Sequence, residues 1–240
     1  MNKIVKFVVL PLVGIVVVVV ALATYIAATF DPNHYKPQIA QAVKDKTKRV
    51  LKIDGDIRLS LFPNIGATLG KVSLSEFGND TEFAGIEDFS VSLKLLPLLS
   101  KEIVVDTIEI RNLRANLVRG KDGKFSIDDL TGGGNKSAPA AKSEGPPVRI
   151  EIAHVTLENA TITYFDQAAG AKYALTKLNL KTGRITNGVP SKIELSATVQ
   201  SDKPKLNLET KLKATVTFDL DQQSYALDGL DFSAKGLAAG

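Results

Sequence analysis

The side chains that could act as acids, bases, nucleophiles or metal ligands are few and scattered. His34 and His154 lie far apart in unlike contexts, and the chain has no Cys. Disulfides and thiolate chemistry are therefore excluded, and a lone histidine without a nearby partner is a poor ligand or proton shuttle. His154, beside a strand start, reads as a surface or edge residue. Asp54-Gly55-Asp56 and Asp128-Asp129 bring carboxylates together, but their glycine and turn setting points to hairpin chemistry rather than acid–base work. Nucleophile-elbow, phosphate-loop and metal-ligand spacings are lacking. The N-x-[ST] patterns at Asn79 and Asn159 are short enough to arise by chance. The expectation is a protein that is not an enzyme, with no catalytic residue, no metal and no cofactor.

What the chain offers instead is apolar surface in a strict pattern. In Lys205–Leu220, Leu206, Leu208, Leu212, Ala214, Val216, Phe218 and Leu220 occupy alternate positions and only Thr210 interrupts them; Lys, Asn, Glu, Thr and Asp fill the others. A period of two held for so long predicts a long strand, or two merging strands, with one dry and one wet face. Ile193, Leu195, Ala197 and Val199 alternate in the same way, and Arg149–Phe165, with Val155, Leu157, Ile162 and Tyr164, repeats the design of Ile103–Arg119. Further alternations run through Arg58–Phe62, Ile65–Ser75, Phe89–Leu95 and Ile103–Arg119, where the parity changes near Asn112 and predicts a bulge or tight turn. Tyr225 with Leu227, then Phe232 with Ala234, predict the last strands, and Lys121-Asp122-Gly123-Lys124 predicts a hairpin turn. No amphipathic helix follows the longest strand to cover its dry face. On these residues alone, an open apolar groove and the core of a closed β-sandwich are equally good readings. The groove candidates are Val155, Leu157, Ile162, Tyr164, Ile193, Leu195, Val199, Leu206, Leu208, Leu212, Val216 and Phe218.

These strands must be carried by a chain of 240 residues, 44 % of them hydrophobic, with a net charge of +4. That length suffices for one or two domains with a good core. The charge is too small and too dispersed for nucleic acid to be a partner.

From Phe7 to Phe30 no residue is charged. As a helix this run spans roughly 36 Å, enough for a hydrocarbon core of about 30 Å. It is read as an uncleaved anchor, with Phe7, Leu12, Val16, Val20, Ile26 and Phe30 along it. The rival is a signal peptide, since Lys3 and Lys6 precede the run and Ala21-Leu22-Ala23 has the form of a cleavage site. The basic residues Lys36, Lys44, Lys46, Lys48 and Arg49 beyond the span weigh against a cytoplasmic N-terminus. Large following domains translocate largely regardless of charge, and the bulk of the chain is expected outside the cytoplasm.

Asp31-Pro32-Asn33 turns the chain into a short amphipathic helix, about Tyr35 to Thr47, with Tyr35, Ile39, Ala42 and Val43 on one stripe. It either packs on the end of the sheet or lies in the lipid interface. Thr131–Pro147 has no large apolar residue and reads as a linker or exposed loop. The division is thus 1–6 cytoplasmic, 7–30 anchor, 31–130 first β segment with its leading helix, 131–147 linker and 148–240 second β segment. The stretch from Thr107 repeats 47 residues later from His154: Asn112 matches Asn159 and Gly123 matches Gly170, with a weaker third opening at Gly70–Ser75. Such repeats stack into one continuous sheet, expected here to be antiparallel.

Asp31-Pro32-Asn33 after the apolar run, Gly55-x-Ile57-x-Leu59-x3-Pro63-x-Ile65, Leu93-x-Leu95-Leu96-Pro97-Leu98-Leu99 before Ile103-x4-Ile108-x-Ile110, and Gly123-Lys124-Phe125-Ser126 together resemble the N-terminal region of the AsmA family. The order holds from residue 1 to about residue 130 and more loosely beyond. Phe125-Ser126, where relatives often have Asn-Trp, and the missing Pro at Arg111-Asn112 depart from the family pattern. The resemblance implies a mainly β protein: a transmembrane helix and short amphipathic helix, then a long curved antiparallel β-sheet forming an open apolar groove like those of bridge-like lipid-transfer proteins. It also implies an inner-membrane anchor, a periplasmic body, phospholipid as the ligand and a part in moving lipid toward the outer membrane. The alternative is a periplasmic scaffold for outer-membrane protein biogenesis. Envelope β-proteins or further AsmA-like repeats are expected at the C-terminal sheet edge near Phe232. Twelve to fourteen strands would give a groove about 60–65 Å long.

Overall fold

The computed structural model describes residues 31–60, 64–94, 96–97, 104–131, 151–219 and 224–239. The anchor run Phe7–Phe30 and nearly all of the 131–147 linker lie outside them. Among the described residues no helix is long and apolar enough to cross a membrane.

Asp31 caps a short 3-10 turn, Pro32–Tyr35, its carboxylate accepting from the Asn33 N–H at 2.9 Å. Helix α1 follows as Lys36–Thr47 and ends at Lys48, whose left-handed backbone (φ 59°) sends its N–H to the Lys44 carbonyl. Lys44 and Lys46 in the last turn suit the negative end of the helix dipole. The helix docks beside strand β1 (Leu51–Ile53), but not through the expected stripe. Tyr35, Ile39 and Ala42 are exposed, and only Val43 is half-buried.

The remaining strands are β2 (Ile57–Ser60), β3 (Ile65–Ser75), β4 (Glu82–Leu93), β5 (Val104–Arg111), β6 (Arg114–Arg119), β7 (Glu151–Asp166), β8 (Ala171–Thr182), β9 (Ser191–Asp202), β10 (Lys205–Asp219) and β11 (Ser224–Ala239), with a one-turn helix α2 (Asp128–Thr131) before β7. All eleven strands join one sheet in the order β1-β3-β4-β5-β7-β8-β9-β10-β11. Strand β2 continues β1 along β3, and β6 continues β5 between β4 and β7. The sheet therefore has nine lanes, not twelve to fourteen, and eight spacings of ~4.8 Å make it about 38 Å across. Principal contacts between elements are all between ladder neighbours, or between α1, its leading turn and the first strands. No second layer lies over either face among the described residues, so the closed sandwich is not the architecture.

The sheet is mixed, which corrects the antiparallel expectation. β5 and β6 run parallel to β7, pairing Thr107 with His154, Ile108 with Val155 and Arg114 with Thr161. The sequence offset of 47 is also the register offset, so the two copies lie side by side in step. Asn112 and Asn159 both turn through left-handed φ of 52°. Asn159 Nδ2 donates to Asn112 Oδ1 at 2.7 Å, and Asn112 Nδ2 donates to Glu87 Oε2 at 2.7 Å. Lys177 in β8 has φ 51° and interrupts the next ladder. Asparagine tolerates this conformation better than most residues. These bulges form a crease across the sheet, at the parity change noted near Asn112. The third opening, Gly70–Ser75, lies in β3 and is separated from β5 by β4.

At the first edge, Asp54-Gly55-Asp56 is not a hairpin turn but a bulge that lets β1 and β2 share β3. The N–H groups of Asp54 and Gly55 both donate to the Lys71 carbonyl, at 2.9 and 3.2 Å. A Cβ on Gly55 would sit 2.3 Å from the Gly70 carbonyl carbon and 2.6 Å from Lys71 N. Backbone cannot swing aside as a side chain can. Gly55→Ala is expected to lower stability by about 1–3 kcal/mol, read as a fall in unfolding midpoint; an unchanged midpoint would show that the two strands are not held this close.

Arg49 holds one end of the sheet together. It is 0 % exposed. Its Nε donates to Asp129 Oδ2 at 2.7 Å, its Nη2 to Asp129 Oδ1 at 2.6 Å and to the Ser126 carbonyl, and its Nη1 to the Ser75 carbonyl at 2.9 Å. The guanidinium also lies 4.7 Å from the Phe83 ring centroid. Arg49 is thus no part of a basic membrane-flanking cluster. Of the two adjacent carboxylates, Asp128 does serve the turn, accepting from Phe125 N–H at 2.9 Å, while Asp129 is the ion-pair partner.

Candidate functional site

The ladder registers collect the apolar side chains into rows that cross the sheet on one face. One row runs Ile57, Leu69, Phe89, Ile110, Leu157, Leu180, Leu195, Leu212, Phe232, one residue from each lane. On the other side of the crease a second runs Leu51, Leu74, Ala84, Ala115, Ile162, Leu175, Val199, Leu208 and ends at Gly236. Side chains in one row are cross-strand neighbours and support one another. The parity is kept through the bulges, because each extra residue is absorbed at the crease.

All twelve groove candidates lie on this face. Val155 pairs with Ile108, Ile193 with Ala214, Leu206 with Ser201, Val216 with Leu227 and Phe218 with Tyr225, while Tyr164 faces Leu117 and Tyr173. The others stand in the two rows above. Missed by the sequence reading was the whole of β8, which supplies Tyr173, Leu175, Leu178 and Leu180. Its alternation breaks at Lys177, so a strict period-two template does not find it; Leu178 with Leu180 on the far side was the available signal. The "last strands" are also one strand, β11, with an irregularity opposite Lys213/Thr215.

The rows are not a core in the usual sense. Fully buried hydrophobic residues are mostly alanines: Ala153, Ala160, Ala171, Ala197 and Ala214, with Phe83 and Leu178 the large ones. Phe83 lies apart from the others, against the Arg49 guanidinium, whereas Leu178 packs with Ala160 and Ala197 over the crease and is the hub of the buried cluster. Leu195, Leu208, Leu212 and Val216 are only half-buried, and Phe232 is 59 % exposed. Full burial of such a side chain is worth about 1.5–3 kcal/mol, and much of that remains unrealised while the face is bare. The arrangement offers a half-exposed apolar surface that can take up apolar matter.

The other face is wet and charge-paired. Lys181, Glu194, Lys213 and Asp231 form a cross-strand row of alternating sign, with Lys213 Nζ 3.2 Å from Glu194 Oε1. Exposed pairs of this kind add little stability but disfavour register slips. His154 is exposed in β7. Among the described residues no group of three or more His, Cys, Asp or Glu could hold a metal ion.

Comparison with known proteins gives one family. The model of the AsmA family matches residues 1–234. Protein AsmA of Escherichia coli (strain K12) is 24% identical over 123 residues, 49% of this chain and 20% of that relative. The match thus spans a small part of the relative's length. No solved structure matches the chain.

Proposed function

Because the chain belongs to the AsmA family, we propose that it is an envelope protein, anchored in the inner membrane by Phe7–Phe30, whose periplasmic sheet holds phospholipid acyl chains and supports lipid movement toward the outer membrane. One observation carries this reading: an apolar face, ordered in rows across nine lanes, with no protein layer over it among the described residues. The right-handed twist of strands and the line of bulges at the crease bend such a sheet into a trough with the apolar face inside. Each acyl methylene laid on it gains about 0.8 kcal/mol, a driving force that needs no catalytic group. The exposed Ile39 and Ala42 of α1 and Tyr35 just before it, among Lys36, Lys44, Lys46 and Lys48, suit a helix resting on an anionic membrane surface at the mouth of the trough. At about 38 Å across, the sheet is longer than one lipid and too short to cross a periplasm unaided.

The test is lipid analysis of the purified full chain. Phospholipid is expected to remain after exchange into a non-lipid amphiphile and gel filtration, at one or more molecules per chain. A chain that retains none under conditions where its fold is intact would overturn the reading.

A second reading, a scaffold that engages envelope β-proteins or further AsmA-like repeats, rests on β11. Among the described residues that strand has one neighbour, β10, and its other edge is unpaired along its length, a surface that recruits strands. Continuing the rows outward, the recruited strand would set an apolar residue against Phe232 and a basic one against Asp231.

A further inference from the structure

The two long margins of the apolar face differ chemically. Beyond the row Ala115, Ile162, Leu175, Val199, Leu208 comes a row of amphipathic and polar groups. Tyr164 and Tyr173 pair across β7 and β8, and Ser201 pairs with Tyr173 on one side and Leu206 on the other. Phe125, Tyr164 and Tyr173 stack in sequence, with centroids 6.4 and 6.1 Å apart. One residue farther out on the same face, Arg119 pairs with Asp166 in the β6–β7 ladder. Moving outward, the order is aliphatic, then aromatic with polar tips, then ionic, which is the order of side chains at a membrane–water interface.

Three features of this margin call for a polar ligand. Arg119 Nη1 lies 3.3 Å from Asp166 Oδ2 and the guanidinium 5.9 Å from the Phe125 centroid, yet its side chain is 44 % exposed. Asp166 leans less on Arg119 than on its own turn: its Oδ1 accepts the N–H groups of Ala169 at 3.0 Å and Ala168 at 2.9 Å. Those bonds, chiefly the one to Ala169, hold its carboxyl below the usual range and keep it ionised without monopolising the five-donor fork of Arg119. Ser201 is 7 % exposed and its Oγ has no hydrogen-bond partner, a costly state for a buried hydroxyl. Tyr173, beside it, is 41 % exposed.

We propose that this margin is a headgroup rail: the phosphodiester of a bound phospholipid meets Arg119, its ester carbonyls take hydrogen bonds from the Tyr173 and Ser201 hydroxyls, and its tails run inward over the Leu175–Leu208 row toward the crease. The inference rests on the lipid-holding reading above and adds an orientation to it. Arg–phosphate contact is a strong, geometrically selective interaction, and hydroxyl donors match ester acceptors. The opposite margin is the competing seat. There Lys94 lies 3.9 Å from Asp106, which Asn64 also engages at 3.0 Å, and Arg184 lies 3.1 Å from Glu151, so both cations are matched on the spot, although Thr186 and Ser191 also carry unpartnered hydroxyls.

The test uses the full chain in nanodiscs of phosphatidylethanolamine and phosphatidylglycerol. These are doped with phosphatidylethanolamine carrying a photoreactive diazirine either on the headgroup or at the acyl terminus. The headgroup probe is expected to label residues 117–125 and 164–173, and the tail probe to label the strands around Leu180 and Leu195. Tyr173→Phe, which removes one oxygen, and Arg119→Gln are each expected to cut headgroup labelling by about threefold or more, the order of one lost hydrogen bond. Tail labelling by a diazirine fatty acid, which has no phosphodiester, should hold in both variants. Headgroup labelling centred on Lys94 and Ser191, or unchanged in both variants, overturns the rail while leaving the lipid reading in place. Labelling of the sheet by neither probe, or a lipid-free assembly of two copies by native mass spectrometry, overturns the lipid reading itself.

Discussion

Arg49→Met is expected to cost the fold about 2–3 kcal/mol, because it removes the charge-assisted hydrogen bonds to the partly exposed Asp129 carboxylate and takes the donor from the buried Ser75 carbonyl. The side chain closes a gap between the end of α1, the end of β3 and the 125–129 turn, contacts widely separated in sequence. Arg49→Lys should recover little, since a single ammonium cannot match the two-oxygen geometry at Asp129. The double change Arg49→Met with Asp129→Leu should be milder than Arg49→Met alone, because it leaves no unpaired charge. Lys44→Met, on the exposed side of α1, should stay within about 0.5 kcal/mol. Chemical unfolding of the full chain, followed by circular dichroism of the sheet, measures all four; equal shifts for Arg49→Met and Lys44→Met would refute the clamp.

The same cluster sets an acid limb. The Arg49 hydrogen bonds hold the Asp129 carboxyl below its ordinary range. The stability it contributes is therefore complete above the unfolded carboxylate pKa, near 4, and is lost as pH falls through its lowered folded value. Glu76 behaves in the opposite sense. Burial pushes its pKa up against the attraction of Arg49, 4.0 Å away. A raised folded pKa gives stability below the unfolded value that is lost as pH rises through the folded one. Asp129→Asn should thus flatten the acid limb, whereas Glu76→Gln should be neutral or slightly stabilising at neutral pH.

Arg49 also shows why the sequence was only partly legible. Beside four lysines after an apolar run, it looks like one more surface cation, and nothing local says that Asp129, eighty residues on, will reach it. Strands with a long run of alternation were easy: β3 has the bounds that its pattern predicts, despite the change of parity between Leu69 and Val72, and β10 differs by one residue at the end of the described segment. β8 was lost because a left-handed Lys177 shifts its parity, and β11 looked like two strands for a similar reason. Strand direction left no trace at all. Parallel and antiparallel ladders accept the same alternation, so the repeat at Thr107 and His154 announced neighbouring units without revealing that β5 and β7 run the same way. One apolar face was readable from the residues, whereas the lack of a cover among the described residues depends on where the other segments went.

The largest functional effect is expected from a charge in the middle of that face. Leu195 stands in the row between Leu180 and Leu212 and packs against the Ala160–Leu178–Ala197 hub. Its neighbour Ser196 points to the wet side, paired in register with Asn179 and Lys211. Leu195→Glu puts a carboxylate where the ligand is proposed to lie, and an unpaired charge in a dry site costs several kcal/mol; two such units of about 1.4 kcal/mol already make a hundredfold loss of bound lipid. Ser196→Glu gains a lysine across the strand and should change stability by no more than about 0.5 kcal/mol. Leu208→Glu and Asn207→Glu repeat the comparison in β10, on the second row and on the wet face beside it. Because the apolar rows are only half-buried by the protein itself, Leu195→Glu should remove lipid more completely than it removes structure. Mass spectrometry of retained phospholipid, beside hydrogen exchange of β9 and β10, separates the two losses. If Leu195→Glu and Ser196→Glu retain the same lipid, the rows are not where the lipid sits.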